Sequence, residues 1–482
     1  MKNLLLIVLS VLSIGVSGQE VFNYLYGSTG LDGGNSILPL ANGEYVIAGS
    51  TSSFNGDQDG YFLRLAADGQ LLSSSAIGGP NVDYFQRLIG LSETEFLCVG
   101  TTNSFGSDYD IFWALVDING VVSDEGFIDS GDWDLGIDVI IDLEGNIYIL
   151  GETYAGNTGR DLVLYKFDVN FDEQWSYQFI NEGDDFAGRM VLNTLGNVIV
   201  GATKANELDT DAWLLEIAPD ASVVQEWNHG GEGNQSIYGL EAAEDGDYLA
   251  LGSDDGPLAE WGETDMLIMR FNPDGTEAWA HYFGGGLMDF GKDLLEMPNG
   301  DIVITSEMNS FGNGIPEKMN IQTYRLSSGG WWQSQGNLNI GSNGAEKVRD
   351  IALTNDGGYI MVGQADDNAT TADYCHVVKV DSLNTAIFLP DVLADPNDIN
   401  ELQSKLVAQL FPNPASDDLT IRWSGSAAEF NIMSADGRLV ERVQLIQGEN
   451  EIDLSGYAPG CYSLISASPN TELQPVRFLV IK

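Results

Sequence analysis

Oxygen ligands for a hard cation are the first chemistry that residue type and spacing suggest. Asn55, Asp57 and Asp59, followed by Gly60, form the alternating oxygen-rich start of a calcium loop. The Glu that would complete such a loop is Ala66, so a solvated acidic turn is the competing reading. Imidazole metal chemistry is excluded by number: His229, His281 and His376 are the only histidines, and a catalytic zinc needs several close ligands. Neither HExxH nor GxSxG occurs. Cys98, Cys375 and Cys461 lie in separate apolar, strand-like runs and read as small buried hydrophobes. His376, beside Cys375, would point to the opposite face of a strand. Arg64, Arg270 and Arg325, matched by Lys166, each follow a recurring Asp or Asn by five residues and read as structural partners of carboxylates. Acidic pairs are too numerous to single out a glycosidase pair. Two expanded loops, 253–265 and 306–320, carry Trp261 among Asp254, Asp255 and Glu260, and also Phe311. Aromatics in variable loops are binding candidates, although Phe54, Phe105 and Phe311 share a Ser-Phe context that fits packing of a repeat.

The chain must hold these residues against a large electrostatic load. Its 482 residues include 72 Asp and Glu against 20 Lys and Arg, a formal charge of −52. Such a chain is repelled by nucleic acid and by anionic lipid. With 43% hydrophobic and 10% aromatic residues it still has the apolar surface for a packed core. Three scattered cysteines form no disulfide framework.

Lys2, an apolar run from Leu4 to Val16, and the small residues Ser17 and Gly18 have the layout of a secretory signal peptide, with cleavage expected after Gly18. The run is shorter than the roughly 20 residues that span a bilayer, so no transmembrane segment is expected. The first cysteine, Cys98, is far from the cleavage point, which excludes a lipoprotein anchor there.

A repeat organises the next 360 or so residues. Strand-like runs end in Gly49, Gly100, Gly151, Gly201, Gly252, Ser306 and Gly363, spaced 51, 51, 50, 51, 54 and 57. Ten residues on, Asp59, Asp110, Asp161, Asp211 and Asp373 open another apolar run; Asp265 and Asn320 follow at 13 and 14. Asn-Gly and Asp-Gly pairs mark hairpin turns before the first run and after the second. Each unit thus holds four short strands, and radial repetition of four-stranded sheets is a β-propeller, here of seven blades. Residues 21–33 resemble the outer-strand region 278–291, with Gly27 and Asp32 matching Gly284 and Asp289, so the N-terminal strand is expected to complete blade seven. With Asp-Gly-Gly-Tyr (356–359) and Trp175, Trp227 and Trp279 in the fourth strands, residues 21–382 resemble propeller-like repeat proteins common in Bacteroidetes.

After Asp381 the period stops, and 383–407, with Pro390 and Pro396, reads as a linker. Beyond it LFPNPASDDLTI (410–421), ADGRLV (435–440), LSGYAPGCYSLI (454–465) and VRFLVIK (476–482) resemble the type A C-terminal sorting domain of the type IX secretion system. The resemblance rests on Pro412, Asn413, Pro414, Gly437, Gly460, Tyr462 and the terminal Lys482. It implies a small β-sandwich that guides cargo across the outer membrane through the secretion machinery and is then removed by a sortase-like peptidase.

The sequence therefore reads as all-β: a signal peptide (1–18), a seven-bladed propeller (19–382), a linker (383–407) and a sorting domain (408–482). The expected role is a secreted or surface binding module for a glycan or protein, reached through the periplasm, with no enzyme activity and no cofactor beyond calcium at Asn55, Asp57 and Asp59. The alternatives are a carbohydrate-active hydrolase or lyase using face carboxylates, and a structural surface coat. Deletion of 408–482 is expected to leave the protein in the periplasm when fractions are blotted; export that persists without it contradicts the sorting assignment.

Overall fold

A computed structural model describes residues 20–482 apart from 55–56, 107, 155–158, 257–263, 309–319, 334–335, 342–344, 367–371, 383, 388–390, 395–407, 412–414, 417, 424–426, 435–437, 447, 467–475 and 481–482. The chain divides into two compact units, Met1–Asp395 and Pro396–Lys482. All regular structure among the described residues is β-strand, and no helix there is long and apolar enough to cross a membrane.

The first unit contains seven sheets, six of four strands in sequence order and one of five. The first strands are Gly33–Pro39, Asp83–Gly90, Asp134–Ile141, Phe186–Leu192, Gln235–Ala242, Asp289–Glu296 and Glu346–Leu353, and they touch one another in a closed cycle. The arrangement is a β-propeller with these strands innermost. The second and third strands of each blade, such as Tyr45–Thr51 and Asp59–Leu65, are packed between neighbouring blades and are buried almost throughout. That explains their continuous apolar runs. The outer fourth strands, such as Glu173–Phe179 and Val223–His229, alternate with solvent.

Register explains the anchor residues. Gly49 pairs with Gly34, Gly100 with Phe85, Gly151 with Gly136, Gly252 with Ile237, Ser306 with Gly291 and Gly363 with Val348. In blade four the equivalent pair is Ala202 with Ala187, so the anchor is Ala202 and not Gly201, and the spacing becomes 51, 51, 51, 50, 54 and 57. A β-carbon on Gly49 or Gly252 would overlap the carbonyl oxygen of Gly33 or Ser236 on the first strand. That close approach, not a turn, is what selects glycine there. In blade seven the register equivalent of Asp59 is Tyr374, one residue beyond Asp373.

Each first strand begins with a buried polar side chain: Asp32, Asp83, Asp134, Asp185, Gln235, Asp289 or Glu346. Asp83 accepts from the Gly79 amide at 2.7 Å and the Ser104 hydroxyl at 2.7 Å; Asp32 accepts from the Ser28 amide at 3.0 Å and the Ser53 hydroxyl at 2.6 Å. These carboxylates tie the loop entering a first strand to the loop between second and third strands. At the other end, Arg64 pairs with Glu44 at 2.8 Å, Arg270 with Asp247 at 2.6 Å and Arg325 with Asp301 at 2.8 Å, each reaching from a third strand to the turn between first and second strands. Lys166 instead donates to the Pro219 carbonyl at 3.2 Å.

The ring closes as the Gly27/Asp32 match requires: Phe22–Gly27 pairs antiparallel with Asp373–Val380. Asp391–Ala394, inside the expected linker, adds in parallel on the outside of Phe22–Gly27 and covers that sheet edge. In the second unit, one sheet orders Ala408–Phe411, Asp418–Trp423 and Gly448–Asp453, and the other Leu439–Leu445, Ala428–Ser434, Gly460–Ser466 and Val476–Val480. They share one apolar cluster around Trp423, Phe430 and Phe478, a β-sandwich.

The closing strand pair buries His376, whose Nε2 lies 2.7 Å from the Asn23 side-chain oxygen. Burial holds this imidazole down at about 4. The folded pKa is depressed, so its contribution is complete at neutral pH and is lost as pH falls through the unfolded value near 6.5. Between pH 7 and pH 5 the loss is about 2 kcal/mol. Denaturant melts are expected to show the wild type losing that much more than His376→Gln over this interval; equal losses would mean that the closure does not bury a neutral imidazole.

Candidate functional site

Every first strand breaks its register once. The shifts fall between Gly34 and Ser36, Phe85 and Arg87, Gly136 and Asp138, Ala187 and Met190, Ile237 and Gly239, Gly291 and Asp293, and Val348 and Asp350. A bulge leaves one residue unpaired and re-aims its side chain. Seven residues in equivalent positions are freed in this way, Asn35, Gln86, Ile137, Gly188, Tyr238, Lys292 and Arg349, and blade four leaves Arg189 unpaired as well. Six of them, all but Asn35, line a single cavity of about 220 Å³ at the propeller centre, together with Ala187, Arg189 and Val348. The Asn35 amide is turned to the Phe85 carbonyl at 2.8 Å.

The residues after the bulges form a charged layer beneath the cavity. Arg87 lies 3.2 Å from Asp138 and 2.5 Å from Asp350; Arg189 lies 3.9 Å from Asp138, 3.7 Å from Asp293 and 3.8 Å from Asp350. Asp138 and Asp350 also accept the amides of Met190 at 2.6 Å and Ile37 at 2.7 Å, so the carboxylates bridge neighbouring blades. Burial, reinforced by Asp350 and opposed by Arg189 and Arg87, pushes Asp293 well above the usual carboxylate range. Asp350 opposes its own burial with Arg87 and Arg189 and is held below it. The opposite directions of the two shifts show that the two arginines favour the charged form of Asp350 over that of Asp293. Cation and carboxylate are thus paired within that layer.

Above it the balance differs. Lys292 lies 3.4 Å from Glu307 and over the Tyr238 ring at 5.3 Å. Arg349 is half-buried against the cavity, and among the described residues its guanidinium has no ion-pair partner, although its backbone carbonyl accepts from Arg189 at 3.1 Å. Four of the chain's 20 cationic residues, Arg87, Arg189, Lys292 and Arg349, thus gather at one point of a protein carrying −52. A planar guanidinium facing a small, partly dry cavity is suited to a carboxylate or sulfate.

None of the residues singled out from sequence that the structure describes lines this cavity. Asp254 is buried and accepts the Gly256 amide at 2.5 Å, and Asp255 accepts the Asn234 amide at 2.5 Å; both lock their loop. Trp261, Glu260 and Phe311 lie outside the described residues, as do Asn55, Pro412, Asn413, Pro414, Gly437, Lys482 and the expected signal peptide 1–18. Asp57 is half-buried, and Asp59 is buried in register with Thr51. Phe54 packs on Tyr61 at 5.9 Å and Phe105 on Phe112 at 5.7 Å. Cys98 and Cys375 are buried and free, with burial raising both thiols far above their ordinary value. Gly460 takes a positive φ of 154°, and the buried Tyr462 donates to the Ala458 carbonyl at 2.7 Å. The central ring was missed. Its only sequence signal is positional: 35, 86, 137, 188, 238, 292 and 349 keep the period of the anchors while changing in type.

The fold and this cavity define a propeller with a central polar pocket, followed by a small sandwich. Residues 409–482 match the secretion system C-terminal sorting domain, and residues 40–71 match a β-propeller domain of unknown function, DUF5122. The second unit is thus a type IX sorting domain, which directs the chain to the outer surface. No curated protein matches the chain. Among solved structures, it is similar to PorZ, a surface component of the type IX secretion system of Porphyromonas gingivalis, at 12% identity and a TM-score of 0.43, over 96% of this chain and 60% of that one. It is also similar to a puromycin hydrolase, at 14% identity and 0.48, over 92% and 60%. A third is a family 25 polysaccharide lyase, an ulvan lyase, at 11% and 0.47, over 75% and 96%. The chain spans about 60% of the length of the first two.

Proposed function

We propose that this exported propeller is a surface binding module whose central cavity receives an acidic group, the carboxylate or sulfate of an acidic glycan. The observation that carries the reading is the Arg349 guanidinium, without an ion-pair partner among the described residues, beside Lys292 and the Tyr238 ring in a cavity of about 220 Å³. A cavity of that size takes one sugar ring, not a chain, so the ligand enters by a terminal or protruding residue. Tyr238, 37% exposed, offers the flat apolar face on which a sugar ring packs. The ion-paired layer of Arg87, Arg189, Asp138, Asp293 and Asp350 fixes the walls and leaves Arg349 free to meet a ligand.

Binding of the full chain to uronate-bearing, sulfated and neutral oligosaccharides tests the reading, with each bound sugar analysed afterwards for cleavage. Acidic sugars are expected to bind and to be recovered intact, and Arg349→Gln is expected to weaken them about tenfold or more, the value of a lost charge-assisted hydrogen bond. Equal binding of neutral sugars, or an unchanged Arg349→Gln, would contradict it; cleavage would turn the reading to an enzyme.

A further inference from the structure

Five residues before the buried polar group that opens each first strand, the chain has Gly27, Gly78, Asp129, Ile180, Gly230, Gly284 and Gly341. The glycines have a reason. A β-carbon on Gly78 would stand 2.8 Å from the Asp59 carboxylate, and one on Gly230 or Gly284 would overlap Asp211 or Asp265. The position therefore lies directly against the carboxylate that opens the third strand. In blade two it is an aspartate. Asp129 brings a like charge to the place where a glycine otherwise relieves crowding, against Asp110.

Asp110 is fully buried, and among the described residues neither of its carboxylate oxygens has a hydrogen-bond partner. One oxygen of Asp108 is likewise buried and unpartnered. Asp108, Asp110 and Asp129 each present an oxygen within 4.8 Å of the other two. Three carboxylates converging with three unpaired buried oxygens among them are destabilising by themselves.

We propose that Asp108, Asp110 and Asp129 form a calcium site joining the second-to-third-strand loop of blade two to the loop that enters blade three. Two oxygens about 2.4 Å from one ion stand at most about 4.8 Å apart, and all three carboxylates meet that limit. The donors are all carboxylate oxygens, with no imidazole or thiolate, which suits a hard cation. Water completes the six to eight ligands that calcium takes. Asp57 and Asp59 occupy the same loop positions in blade one as Asp108 and Asp110, but the third ligand is missing there, because its counterpart is Gly78.

Terbium tests the site on the full chain, because Tyr109 lies between two ligands and its ring stands 5.1 Å from that of Trp133, giving a local sensitiser. Aromatic-sensitised Tb3+ luminescence is expected to saturate and to be displaced by Ca2+, and Ca2+ is expected to raise the melting temperature. Asp129→Gly installs the residue used by five other blades. It is expected to fold, to melt no lower than the wild type without calcium, and to lose at least tenfold in Tb3+ affinity together with the calcium-dependent shift; Asp110→Asn is expected to lose both as well. Luminescence and melting shifts that are the same in wild type and Asp129→Gly, or a wild type without saturable luminescence, would overturn the proposal.

Discussion

One backbone irregularity, repeated in every blade, governs the interior of this propeller. The bulge in each first strand drives the preceding carbonyl toward the second strand, which is why Gly49, Gly100, Gly252 and Gly363 carry no side chain. The same bulge turns one residue per blade toward the axis and sets the next one into the layer between blades. Anchor glycines, cavity lining and buried ion network are therefore three consequences of a single local geometry. Without the bulge, a first strand would keep strict alternation, and Arg349 and Asp350 would be placed quite differently.

Electrostatics then separates the layers. Beneath the cavity, two arginines are paired with three aspartates, and burial pushes Asp293 toward its neutral form, which lowers the penalty of buried charge. At the mouth, Lys292 pairs with Glu307, while Arg349 has no ion-pair partner among the described residues. An anionic ligand meets repulsion from a chain of −52, but beyond about 8 Å that field is screened at physiological ionic strength. Local guanidinium geometry, not net charge, then decides whether the acid is held. At the loop face the problem has the opposite sign, because buried carboxylates crowd one another. Most blades relieve this with glycine and backbone amides, and blade two does so with a cation site.

The architecture was legible because each blade must solve the same packing problem and so repeats its turns, apolar runs and anchors. The errors arose where a different residue meets the same constraint. Ala202 tolerates the anchor position in blade four, so the neighbouring Gly201 attracted the assignment. Asp391–Ala394 pairs with a strand more than 360 residues earlier, and no local pattern announces that pairing. The central ring was illegible for the reverse reason: Asn35, Gln86, Ile137, Gly188, Tyr238, Lys292 and Arg349 share a position and no chemistry. The aspartates at 57 and 59 look the same as those at 108 and 110, and what separates them, Gly78 against Asp129, lies in another loop. Sequence shows the alternating aspartates of both blades but not which loop brings a third carboxylate to them.

The most direct measurement is a crystal structure of the protein soaked with a sulfated or uronate-bearing oligosaccharide. The account predicts density for one sugar in the central cavity, with its acidic group within hydrogen-bond reach of Arg349 and its ring against Tyr238. A saturating ligand seated on the loop face, with the central cavity holding only solvent, would contradict it.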